Sequence, residues 1–411
     1  MAKIYPFEAV RPSEEALQNF SSKSYKSYTK KELKDSLKKN PDTFLSIITL
    51  KKDTSLAVDK SQRYEMVRQK YEQFIDSKIL IKDSIAAFYI YETSQDNGDQ
   101  FSGIMATASV EDYNTNVIKK HEATIAKREH TFKTYLNTVR FNAAPVLLTY
   151  PDHPTLEAQI EAAKLNSKKI NTWATKNETH KLWSVDHPKD IFDIQNSFQN
   201  IPSLYIADGH HRSASSALLA REKKATLKPT ENNSFNRFLT YLIPESQLKI
   251  YDYNRVVKDL NGLSTAEFLE KISVVFEVKN KGKNPYKSLK ANAISMYIDG
   301  LFYSLSLRKS KQDNSSAINK LDTYILQTQL LEPILNITNV RTNKRIAYIH
   351  GAKSLEQIKA TVDRGDYAVG FGLFPIETKT LMAIADSDAV MPPKSTYIYP
   401  KLRSGITIYE I

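Results

Sequence analysis

Hydrophobic positions along the chain alternate between short strand-like runs and helical stripes, which predicts a mixed α/β (α+β) protein. Residues 1–12 read as an extended opening strand, because Pro6 and Pro12 oppose helix. The capping box Thr29-Lys30-Lys31-Glu32, followed by Leu33 and Leu37, predicts a helix that Asn40-Pro41 stops. Residues 44–50 read as a strand, and 61–77 as a polar helix with Tyr64, Val67, Tyr71 and Phe74 on one stripe. Residues 86–91 and 101–108 pair as a hairpin turning at Asp96-Asn97-Gly98. Between 118 and 139, Ile118, Ile125, Phe132, Leu136 and Val139 recur at helical spacing and predict one long helix. At about 100° per residue, Glu122 and Glu129 fall within about 40° of the centre of that face. They read either as inward carboxylates for acid–base work or as partners of Lys and Arg at a helix rim.

Further along, 144–150 reads as a buried strand and 156–165 as a helix. The run Leu204-Tyr205-Ile206 is a strand ended by the turn dipeptide Asp208-Gly209, after which Ser213-Ala214-Ser215-Ser216-Ala217 opens a close-packing helix. The charged segment 221–236 reads as a surface linker, dividing the chain into regions 1–235 and 236–411. A strand at 238–244 follows, and YNRVVKDL places Asn254 and Arg255 at a strand-to-helix corner. Ser264–Glu267 forms a second capping box, and 293–307 a hairpin turning at Asp299-Gly300. Residues 321–337 predict a long amphipathic helix stopped by Pro333; then come a strand at 345–349, a helix at 354–363 and a strand at 367–374.

Composition narrows the class. A chain of 411 residues with 41% hydrophobic positions suffices for two domains with real cores. No run approaches the roughly 18 apolar residues of a membrane span, and residues 1–12 hold three charges without an apolar signal core, so a cytoplasmic protein is expected. The absence of cysteine excludes disulfides, thiolate metal sites, iron–sulfur clusters and a cysteine nucleophile. Neither haem nor zinc is expected, since the segment HEATI has Ile125 where a helical zinc motif needs its second histidine. The net charge of +12 raises a nucleic-acid partner. DNA binding nevertheless ranks low, because the lysines scatter through 30–60, 119–133, 223–228 and 279–290 instead of gathering with aromatics on one face.

Chemistry concentrates at Asp208, His210, His211 and Arg212. Together they offer a carboxylate, two imidazoles and a bidentate fork at the positive end of a helix, a ready anion site. Read blandly, the same turn is a solvated loop with a helix cap. Near the C-terminus Pro392-Pro393 stiffens a compact cluster of Lys394, Ser395 and Thr396. His153, His180 and His187 receive no role, and Trp173 and Trp183 read as packing residues.

ADGHHR resembles the signature of the ParB/sulfiredoxin superfamily, and its pairing with MPPKSTYIYPKLRSG resembles one family of bacterial proteins within it, labelled as a numbered domain of unknown function or as SpoOJ/ParB-like. KIYPFEAVRP, IKKHEAT and YNRVVKDL extend the resemblance over nearly the whole chain. It implies a ParB/sulfiredoxin-like core with a second α/β domain, and phosphate or nucleotide chemistry; the superfamily includes partition nucleotide switches, sulfiredoxin and a free-serine kinase. It also supports a role for Glu122 in catalysis and for His121, Thr124, Asn254, Arg255, Lys394, Ser395 and Thr396 in substrate or phosphate binding, with either Arg128 or Lys127 matching the family's basic position. The leading expectation is phosphotransfer to, or phosphate-ester cleavage of, a small metabolite, with serine or O-phosphoserine favoured and ADP or ATP as a candidate cosubstrate. Glu122 would be the base, Arg212 and the helix end would hold phosphate, His210 and His211 would stabilise charge or donate a proton, and Asp208 is a candidate Mg²⁺ ligand. The alternative is a ParB-like nucleotide- or DNA-binding protein, in which a helix-turn-helix follows the signature helix. Here the sequence runs instead into the strand FLTYLI.

Overall fold

A computed structural model describes residues 1–49, 59–226, 233–350 and 354–411. The expectations for Leu50 and for 227–232 of the linker lie outside the described residues. The architecture is mixed α/β, in two compact units. The first comprises Met1–Lys120, Thr124–Leu248 and Pro400–Ile411; the second comprises His121–Ala123 and Lys249–Tyr399. The strand Arg237–Pro244 therefore falls in the first unit, where the sequence reading had opened the second region. Its register explains why: it pairs antiparallel with Gln100–Ser109 and parallel with Val146–Tyr150, in the middle of the first unit's sheet.

That sheet runs in the order Ile118–Lys119, Leu204–Asp208, Val146–Tyr150, Arg237–Pro244, Gln100–Ser109, Phe88–Gln95, Glu178–Val185, Lys168–Thr175, with Ile4–Tyr5 paired to Gln100–Ser109. Its central strands are buried on both faces, which is why 146–150 and 238–243 read as apolar runs interrupted only by the buried Thr149 and Thr240. One face packs a cluster that includes Ile104, Leu148, Leu156, Ile194, Phe198, Ile206 and Phe238. The Thr29 capping box forms as expected, and Val67, Tyr71 and Phe74 of Lys60–Asp76 are buried.

Two local expectations are corrected. Residues 44–48 form a helix, not a strand; a five-residue apolar run carries no decisive period, and burial of Phe44, Leu45 and Ile47 is satisfied by one helical turn. The long helix at 118–139 is shorter: Ile118–Lys119 pairs in parallel with Leu204 and Tyr205, and the helix is Ala126–Val139. Tertiary pairing at the sheet edge outweighs the local helical period, so Ile125 and Phe132 stay exposed while Leu136 and Val139 are buried.

The second unit has a six-stranded sheet in the order Phe276–Gly282, Leu301–Leu307, Ala293–Ile298, Val369–Gly372, Tyr253–Val257, Ile346–His350. The Asp299-Gly300 hairpin turn forms with both residues at positive φ, and the Ser264 capping box opens Thr265–Ser273. The expected helix at 321–337 is an α-helical turn, Asp322–Leu326, continued as π-helix over Gln327–Leu331. Asp322 is buried and accepts from the amides of Asn292 (2.7 Å) and Phe374 (3.1 Å). Burial pushes its carboxyl up to about 6, although those two amides oppose the shift. Between about pH 4 and 6 the folded chain then holds a proton that the unfolded chain has lost, so stability from Asp322 is full below pH 4 and falls as pH rises through 6, by about 3 kcal/mol. Denaturant titrations across this range are expected to show a negative slope that Asp322→Asn flattens; parallel slopes in the two proteins would refute it.

Candidate functional site

The strand Leu204–Asp208 ends at a glycine that no other residue replaces cheaply. Gly209 has φ +114°, and a Cβ there would lie 3.1 Å from the Arg212 guanidinium. The helix His210–Lys224 starts immediately, with the Arg212 and Ser213 amides both donating to the Gly209 carbonyl at 2.8 and 3.1 Å. Arg212 folds back beneath this turn. Its Nη1 donates to the carbonyls of Ala144 (3.2 Å) and Pro145, and its Nη2 donates to Asp208 at 2.7 Å. The guanidinium expected to clasp a phosphate thus fastens the turn to the end of the neighbouring strand. Ser213 and Ser215 hydroxyls return to carbonyls of the same helix, which lets this small-residue face bury completely.

The two histidines differ. His210 is buried, and desolvation, with lesser repulsion from His211 and Arg212, pushes its imidazole down to about 3. It is neutral at pH 7 and acts as a hydrogen-bonding group, not as an imidazolium. His211 is half-buried and Asp208 exposed on the same turn. Because the unfolded imidazole titrates near 6.5, the stability associated with neutral His210 is present above that pH and is lost as pH falls towards 3. Acidification from pH 7 to 4 is therefore expected to loosen the Asp208 turn, and His210→Gln to lessen that acid sensitivity; hydrogen exchange at residues 208–216 reads it, and identical acid profiles would contradict it.

Beside this helix packs Ala126–Val139, joined to it by the Lys133–Glu222 ion pair at 2.6 Å. Thr124 precedes that helix and donates its hydroxyl to Glu129, and Arg128 is exposed in the first turn. The inward placement expected for Glu122 does not hold: it lies exposed in the loop between the Ile118–Lys119 strand and the helix, because the helix starts only at Ala126. Glu129 is half-buried against Thr124.

In the second unit, segments far apart in sequence converge. The Met391 amide donates to the His121 carbonyl at 2.9 Å, which joins the HEA segment to the start of MPPKST. Arg255 donates to the Lys394 carbonyl at 2.9 Å, and the Ser395 and Thr323 hydroxyls share a 3.0 Å hydrogen bond. His121, Asn254, Arg255 and Ser395 are buried, Thr396 is half-buried and Lys394 is exposed. Asn254 and Arg255 sit within the strand Tyr253–Val257, not at a strand-to-helix corner, because that strand is paired on both sides. Asn254 donates to Asp252 at 2.6 Å and accepts from the Leu373 amide at 2.8 Å, while Ser354 donates to the same Asp252 at 2.9 Å. Sequence reasoning missed Asp252, Asp322 and Thr323; the available signal was an Asp-Thr pair opening an otherwise apolar helix.

Among the described residues no group of three or more His, Asp or Glu side chains is placed to hold a metal. Asp208, the candidate Mg²⁺ ligand, has its carboxylate engaged by Arg212. The described residues of the turn do not build a cation site of their own. No helix among the described residues is long and apolar enough to cross a membrane.

No curated protein matches the chain. Among solved structures, a conserved hypothetical protein from Pyrococcus furiosus is similar at 14% identity, covering 72% of this chain and 90% of its own, with a TM-score of 0.35. A free serine kinase in complex with AMP matches at 14% identity over 74% of this chain and 91% of its own, TM-score 0.36. SbnI with a C-terminal truncation, from Staphylococcus aureus, matches at 12% identity over 72% and 82%, TM-score 0.37. Residues 4–324, which hold the Asp208 turn and YNRVV, match the family described as "Protein of unknown function (DUF1015)", and the chain belongs to that family.

Proposed function

We propose that the chain carries out phosphoryl chemistry on a small metabolite at the Asp208 turn, either transferring a phosphoryl group to serine or cleaving the ester of O-phosphoserine. The observation that carries this reading is the fastened helix end: Arg212 ties Asp208 and the carbonyls of 144 and 145 together, so the positive end of a fifteen-residue helix is held fixed. A phosphate is attracted by that helix end, with His211 beside it and neutral His210 beneath. Arg212 acts by positioning, and Asp208, exposed on the turn, orients the nucleophile or the leaving oxygen.

In the hydrolytic direction water attacks phosphorus, the bond from phosphorus to the serine oxygen breaks, a carboxylate takes the water proton, and His211 returns a proton to the leaving oxygen. Glu122 is assigned the base role, as an exposed carboxylate within the HEA segment. Thr124 and Arg128, in the same unit as the turn, are assigned to substrate binding there; for His121, Asn254, Arg255, Lys394, Ser395 and Thr396 of the second unit, a part in ligand binding is a separate proposal. A cytoplasmic location suits a metabolite enzyme.

The partition-protein reading lacks its second helix: among the described residues the signature helix is followed by a short 3₁₀ turn and the strand Arg237–Pro244. A screen of phosphorylated metabolites for phosphate release, with and without Mg²⁺ and nucleoside diphosphates, tests the proposal. Phosphate from O-phosphoserine, or phosphoserine from serine and a nucleotide, is expected; silence across the screen would overturn it.

A further inference from the structure

In the second unit Arg255 and Lys394 form no ion pair with a described carboxylate, and both are set against aromatic rings. Arg255 is only 3% exposed, yet its guanidinium meets two carbonyls, those of Tyr253 and Lys394, and the ring of Tyr348 at 5.6 Å. Burying a charge on carbonyls and a ring alone is costly, so such a cation is kept for what it arranges. It arranges Lys394. That residue has φ +62°, a conformation lysine seldom adopts, and the Arg255 hydrogen bond to its carbonyl holds it there. Its ammonium is exposed, lies 5.3 Å over the Tyr253 ring and forms no ion pair with a described residue.

The rings come together by strand register. Tyr253 lies opposite His350, and Arg255 opposite Tyr348, so the period of two puts all four on one face at the outer strand of the sheet. Tyr397 joins from Tyr397–Tyr399, its ring stacked on His350 at 3.7 Å and 17° and lying 5.7 Å from Tyr253. Tyr253 and Tyr348 meet edge to face at 5.3 Å. None of these rings belongs to either apolar cluster of the unit: Tyr253, Tyr348 and Tyr397 are half-buried and His350 is exposed.

We propose that this shelf binds a nucleoside phosphate, its base packed against the half-buried tyrosine rings and its phosphate on Lys394, with Arg255 fixing the Lys394 turn. A phosphorylated amino acid has no planar ring to use such a surface. A single strand of nucleic acid would stack too, but it needs a track of cations along its backbone, and Arg255 and Lys394 are the only described cations lying over these rings. The inference goes beyond the reading of the Asp208 turn and does not depend on it.

Calorimetric titration of the full chain with ADP, inorganic phosphate and a twelve-nucleotide thymidine oligomer tests it, in the wild type and in Tyr397→Ala, Tyr397→Phe, Lys394→Ala and Asp208→Asn. ADP is expected to bind, and phosphate alone not to displace it. Tyr397→Ala and Lys394→Ala should each weaken ADP by about tenfold or more, whereas Tyr397→Phe, which keeps the ring, and Asp208→Asn should not. Lys394 is exposed, so its variant stays folded even if Tyr397→Ala does not. The proposal is overturned if ADP fails to bind at millimolar concentration, if neither shelf variant weakens it, if Asp208→Asn alone abolishes it, or if the oligomer binds more tightly than ADP.

Discussion

Arg212→Ala is expected to abolish the response to O-phosphoserine and to lower the thermal midpoint as well, whereas Asp208→Asn is expected to abolish the response alone. From sequence, both residues read as ligand-binding groups of one anion site. The structure separates them. Arg212 donates to three acceptors on two elements, and truncation leaves the carbonyls of 144 and 145 and the Asp208 carboxylate without that donor, a cost of about 1–3 kcal/mol. It also frees Gly209 to leave its left-handed conformation, so the helix end loses its fixed position. Asp208→Asn keeps the shape of a half-exposed side chain in an ion pair worth at most about 1 kcal/mol, and its stability change should stay within about 0.5 kcal/mol. Thermal melts of both variants with and without O-phosphoserine decide the matter. An Arg212→Ala protein as stable as the wild type would show that the turn needs no fastening.

Gly103→Ala is expected to cost more than either, and to leave little folded protein. Gly103 lies within the strand Gln100–Ser109, next to Arg237–Pro244 in the middle of the first unit's sheet. A Cβ there would stand 2.3 Å from the Leu242 carbonyl oxygen, 2.6 Å from Ile243 Cγ2 and 2.9 Å from Tyr241. The nearest atom is backbone within a paired strand, which cannot swing aside as a side-chain tip can. Overpacking of ordinary core sites costs about 1–3 kcal/mol, and a clash with a ladder carbonyl belongs at or above the top of that range. Soluble yield and chemical denaturation read the effect; Gly98→Ala, where nothing lies within 4 Å of the new Cβ and only the positive φ is strained, is the comparison. A Gly103→Ala protein of wild-type stability would mean that the two strands separate more easily than their pairing implies.

What the sequence revealed follows from where the dominant forces are local. Capping boxes at Thr29 and Ser264, the Asp299-Gly300 turn and the helix Ser354–Asp363 rest on neighbouring side chains, and all form as read. The Asp208-Gly209 turn between strand and helix was equally legible, because Gly209 signals a left-handed residue there. Errors arose where a partner distant in sequence decides. Ile118 belongs to a strand only because Leu204 lies beside it, and with the helix starting later Glu122 moves from an inward face to an exposed loop. Arg212 looked free for phosphate because nothing in the sequence shows that the carbonyls of 144 and 145 end within its reach. The aromatic shelf was invisible for the same reason: Tyr253, Tyr348 and Tyr397 are spread over nearly 150 residues and meet only through strand pairing.

The central claim is that the Asp208 turn holds the phosphate of a small metabolite, and it is tested most directly by thermal melting of the full chain at physiological salt with O-phosphoserine, with serine plus ADP or ATP, and with a mixed-sequence DNA duplex. A ligand at about 100 times its dissociation constant adds roughly 2.7 kcal/mol to the folded state. O-Phosphoserine is therefore expected to raise the midpoint of the wild type clearly and to leave that of Asp208→Asn unmoved, with the duplex binding only weakly and losing affinity steeply as salt rises. Submicromolar duplex binding, with no shift from any phosphorylated metabolite, would contradict the account.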